Sequence, residues 1–144
     1  MSPDAACEFG DVRIGEVSAR TGLSIRTIRH YDHLGIVVPS GRSAGGFRQY
    51  SEDDVRRLEL VRTLRPLDLS LDQVRELLAA IDLVASGGPG SAEVDAALGR
   101  LTITRALAES RMELMRAQIT GLERLVRDLR TLERGADRST SRRS

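Results

Sequence analysis

The sequence predicts a mainly α-helical protein: a small helical domain carrying a β-hairpin, followed by one long helix. Three observations predict it. Serine caps and apolar residues at helical spacing recur between Ile14 and Ile81. A Pro- and Gly-rich stretch, Pro39 to Gly46, separates the β-branched "IVV" from "FRQY". From Val94 to Leu129 apolar positions alternate by four and three, a sustained heptad pattern.

Residues 1–11 read as a flexible arm and 12–84 as the compact domain. In "RIGEVSARTG" a short helix is expected over Ile14 to Thr21, with Ile14 and Val17 on one side and Gly22 ending it. Ser24 is suited to cap a second helix, about Ile25 to Leu34, with Gly35 at its left-handed end. "IVV" (Ile36 to Val38) is expected as a strand and "FRQY" as its return. A third helix begins after Ser51, where Glu52, Asp53 and Asp54 complement the positive end of its dipole; Pro66 stops it. Ser70 with Gln73 forms a capping box for a fourth helix. Residues 85–91 are a Gly/Pro linker, 92–134 a long helix, and 135–144 a polar tail expected to be disordered.

The chain has 144 residues and a formal net charge of +1. Its charge is unevenly placed: from Val12 to Tyr50 six arginines face Glu16 and Asp32, a local excess of 6 − 2 = +4. That asymmetry points to a polyanion partner at one end. All 22 basic residues are arginine, a bias that a GC-rich genome explains for the chain as a whole. The single cysteine, Cys7, builds neither an internal disulfide nor a thiolate cage, which suits the cytoplasm. No apolar run approaches the roughly 18 residues of a membrane span, and the N-terminus lacks a signal-peptide pattern.

Two short helices about a Gly-containing turn, the second basic, form a helix-turn-helix pattern. Ile25 and Ile28 point one way on the second helix; Arg26, Arg29, His30 and His33 fall broadly on the other. Arginines there can read guanine or neutralise phosphate. The hairpin that follows, with Arg42 and Arg48 on either side, reads as a wing laid along the sugar-phosphate backbone. The heptad seam of the long helix runs Val94, Leu98, Leu101, Arg105, Ala108, Met112, Met115, Ile119, Leu122, Val126, Leu129. A lone helix cannot bury it, so a second copy of the chain is the expected partner.

The ordered string of "TGLS", "RTIRHYDHLGI", the Pro, "GGFRQY" and "SLDQVRELL" resembles the MerR family of bacterial transcription regulators over about Ile14 to Leu78. The resemblance implies a winged helix-turn-helix on double-stranded promoter DNA, with paired long helices forming an antiparallel coiled coil that sets the half-site distance. It also implies activation by bending and untwisting an over-long promoter spacer for RNA polymerase. Carried over by position, Ser24, Arg26, Thr27 and Arg29 would lie in or near the major groove, and Tyr31, Arg42, Arg48 and Tyr50 would meet the backbone. Where the family often has two adjacent aromatics this chain has His30 and Tyr31; an imidazole can still donate to a phosphate.

The metal-sensing relatives use several cysteines around the dimer helix, so no metal and no cofactor is expected here. No aromatic residue follows Tyr50, so the aromatic pocket of drug-sensing relatives is not expected either. Whether a small-molecule effector is sensed stays open. Catalytic constellations are missing, and an enzyme is not expected. Two alternatives stand beside the activator: an effector-independent repressor or architectural binder, and a coiled-coil protein-interaction module.

Overall fold

A computed structural model describes residues 12–88 and 90–143; the expected arm 1–11, with Cys7, lies outside them. The element order is β1 (Val12–Arg13), α1 (Ile14–Thr21), α2 (Ile25–His33), β2 (Gly41–Arg42), β3 (Arg48–Tyr50), α3 (Glu52–Thr63), a 3₁₀ turn (Arg65–Leu67), α4 (Leu71–Ser86) and α5 (Ala92–Ser141). The chain divides into two units, one ending at Leu101 and one beginning at Thr102.

In the first unit, helices α1 to α4 close on one apolar core. Val17, Ile28, Val55 and Leu58 are buried, with Leu77 and Leu78 of α4 beside them. Burying such a side chain contributes about 1.5–3 kcal/mol, and the aliphatic spacing that supplies them is what the helical periodicity requires. The turn between α1 and α2 is fixed by its own backbone and by a side chain of α3. Gly22 takes a left-handed conformation (φ 70°), and its N–H donates to Ser18 O at 2.9 Å. The Ser18 hydroxyl donates to Leu23 O at 2.7 Å, and Arg62 Nη1 donates to Thr21 O at 2.7 Å. A Cβ on Gly22 would meet that guanidinium at 2.9 Å and displace it, and the left-handed φ itself favours glycine.

The sheet has the order β1-β3-β2, all antiparallel, with Val12 opposite Tyr50 and Arg42 opposite Arg48. Strand β1 was not foreseen. The strand expected over Ile36–Val38 does not form. Ile36 and Val37 are buried in an irregular segment, because their preceding residues finish α2 in a Schellman motif. There Gly35 (φ 66°) donates to Asp32 O at 3.0 Å and Ile36 N donates to Tyr31 O at 2.9 Å. The β propensity of this run is spent on burial, and pairing starts later, at Gly41.

Serine caps lie where local chemistry places them. Ser51 and Asp54 form a capping box on α3, and Ser70 and Gln73 form one on α4. Val94 and Ala97 of α5 are buried in the first unit. Leu101, assigned above to an intersubunit seam, packs on the core of its own chain. The helix also passes Arg134 and continues to Ser141, which corrects the disordered tail. One glycine and no proline interrupt that stretch. The Ser139 and Thr140 hydroxyls turn back onto the carbonyls of Gly135 and Ala136, both at 3.1 Å.

Candidate nucleic-acid interface

Helix α2 is held apolar side in and basic side out. Ile28 is completely buried, whereas Arg26, Arg29, His30 and His33 are exposed. Ile25, expected to share Ile28's face, is 38% exposed. These basic residues, with Thr27 and Tyr31, line an open cleft of about 540 Å³. Both helix ends are clamped. Thr27 N donates to the Ser24 hydroxyl at 3.1 Å, and the Arg75 side chain of α4 donates to Leu34 O.

The wing is tied at its tip, its base and its flank. At the tip, Ser43 N donates to Phe47 O at 2.9 Å and Arg42 Nη1 donates to Gly46 O at 3.2 Å. At the base, Asp54 Oδ2 accepts from Ser40 N (3.0 Å), the Ser40 hydroxyl (2.5 Å) and Ser51 N (2.9 Å). At the flank, Arg48 Nε donates to Asp32 Oδ2 at 2.7 Å, joining β3 to α2. The two side chains are 28% and 14% exposed. The hydrogen bond to Asp32 holds the Arg48 guanidinium's pKa above its ordinary value. A second open cleft, of about 550 Å³, lies between the start of α1, α2 and the wing.

Of the expected site residues, Arg26, Thr27, Arg29, His30 and Tyr31 line the α2 cleft, and Arg29 and Arg48 line the second. Arg26, Arg29, His30 and Arg42 are exposed, and Tyr31 is half-buried at the cleft. The Ser24 hydroxyl is engaged as a cap and pairs with the Thr27 hydroxyl at 2.8 Å, so both residues have local structural work. Tyr50 is a correction: it was expected at the DNA backbone and is fully buried in the core. Opposite Val12, at the register of β1, its side chain points inward. Burial pushes its phenol pKa up, and its hydroxyl has no partner among the described residues. Asp32 and Asp54 were missed as organisers of the site, since their partners lie 16 and 14 residues away. Among the described residues no group of three or more His, Cys, Asp or Glu could hold a metal ion.

Residues 12–81 match the family described as MerR HTH family regulatory protein. A solved structure of a MerR family regulator from Listeria monocytogenes aligns with a TM-score of 0.59 and 26% identity, covering 78% of this chain and 80% of that one. Residues 12–81 belong to the MerR family. The chain's curated MerR-type relatives include HmrR of Sinorhizobium medicae, 40% identical over 47% of this chain and 46% of the relative. TipA of Streptomyces coelicolor, named a transcriptional activator, is 37% identical over 69% of this chain and 40% of the relative. The matched part spans about half or less of each of these curated relatives. The fold of HiNmlR, a MerR family regulator lacking the sensor domain and solved bound to promoter DNA, is also similar, with a TM-score of 0.61 at 18% identity, covering 78% of this chain and 85% of that one.

Proposed function

We propose that this MerR-family chain is a sequence-specific DNA-binding transcriptional regulator without catalytic activity. In this reading it works in the cytoplasm as a homodimer on a pseudo-palindromic promoter operator. It bends and untwists that promoter for RNA polymerase. One observation carries the reading: the exposed Arg26, Arg29 and His30 face of α2, clamped at both ends and flanked by a wing bearing Arg42. A rigid basic helix of this kind suits a major groove, and a two-fold dimer suits a two-fold operator. The named regulators among its relatives, and the one bound to promoter DNA, support it.

The test selects duplexes from a random pool with the parent protein and compares them with scrambled duplexes by fluorescence anisotropy. The expected result is a palindromic consensus, with Arg26→Ala weakening it by about 1–3 kcal/mol and relaxing its sequence. Equal binding of selected and scrambled duplexes, unaffected by Arg26→Ala, rejects the reading.

A further inference from the structure

Arg29 lines two clefts at once: the one along the exposed face of α2 and the one between the start of α1 and the wing. The two clefts therefore meet at one side chain, Arg29. That second cleft gathers Arg13, Arg29 and Arg48 from three separate elements, β1, α2 and β3. Glu16 is the one carboxylate in its lining. Arg48 commits its Nε to Asp32, which orients the guanidinium. Arg13 is exposed, and its side chain has no partner among the described residues. Phe47, 73% exposed, offers apolar surface at the same opening.

We infer that this second cleft seats a phosphate of the DNA backbone, and that Arg13 on β1 is a DNA contact that completes it. The inference rests on the DNA-binding reading above. Three arginines line this open cleft, Arg48 keeping its Nη groups beyond the Nε bond to Asp32, and guanidinium groups suit phosphate recognition. The exposed Phe47 ring suits a deoxyribose edge beside that phosphate. The contact carries no sequence information, because it reaches backbone and no base. Arg13 thus makes the short strand β1 part of the interface.

The experiment measures affinity against salt for the parent, Arg13→Ala, Arg13→Lys and Arg26→Ala, each on selected and scrambled duplexes. Arg13→Ala is expected to weaken both duplexes by the same factor and to lower the salt slope by about 0.9, so that its deficit shrinks about threefold between 50 and 200 mM salt. Arg13→Lys restores the slope, since a point charge still neutralises phosphate. Parent-like affinity and slope in Arg13→Ala, with binding lost in Arg26→Ala, overturns the second cleft and leaves the function standing. Loss on the selected duplex alone also overturns it, because that is base reading. A parent that binds neither duplex removes both proposals together.

Discussion

Tyr50 carries a hydroxyl that took burial without gaining a partner among the described residues. Its removal forfeits no hydrogen bond there. Tyr50→Phe is expected to keep stability within about 1 kcal/mol of the parent, or to raise it, and to leave DNA affinity unchanged. Denaturant melts and anisotropy check both. The pH response has a definite sign. The folded phenol's pKa is raised above its ordinary 10.0, chiefly by burial, so the unfolded chain ionises first. This contribution is fully present below about pH 10 and is lost as pH rises through the folded value. Tyr50→Phe should flatten that alkaline limb of a melting series. At Glu52 the hydrogen bond from Arg20 lowers the carboxyl's pKa, so that pair's contribution has the opposite sense and fades as acid protonates it. Residue roles were legible where partners are near in sequence: Ser24, Ser51 and Ser70 all cap as their spacing requires. Tyr50 was not, because its inward direction is set by pairing with Val12, which no local pattern marks.

The wing is anchored to α3 as well as held by its own turn. Asp54 closes the capping box of α3 and, with the same oxygen, anchors Ser40 at the wing base. Asp54→Ala is expected to cost about 2–3 kcal/mol, the combined loss of a cap and charge-assisted bonds. Hydrogen exchange should then rise together at Ser40 and Ser51, whose N–H groups it holds. Unchanged stability with Ser40 still protected would contradict this anchoring. Gly35→Ala forces an alanine to φ 66° and should cost about 1–2 kcal/mol in a denaturant melt, despite open space around its Cβ position. Helices α2, α3 and α4 were readable as elements because each announces a serine cap, an apolar stripe and a stop within one segment. Ile36–Val38 misled for a physical reason. β-branched residues suit a strand and a buried irregular segment equally, and the Schellman bonds of the preceding helix decide between them.

On the scale of the molecule, the candidate interface was legible as a string of short motifs, while its second cleft was not, since Arg13, Arg29 and Arg48 meet only after folding. The second unit poses a different problem. Along α5 the expected seam is open in the single chain: Met112 is 48% exposed, Ile119 55% and Leu122 61%. Homodimerisation through this seam predicts that Leu122→Asp shifts the protein from dimer to monomer in sedimentation, while the first unit keeps its fold. A variant that stays dimeric rejects Leu122 as a seam residue. A further consequence concerns mass action. Beyond Leu101 most large apolar residues of this helix are exposed, and helices in proteins draw most of their stability from packing such a face. Under the proposed homodimer its order is linked to subunit concentration, and helical circular dichroism is expected to decline on dilution and return when operator is added. An operator titration run at low protein concentration would therefore measure, folded into one apparent constant, the assembly of the reader as well as its reading.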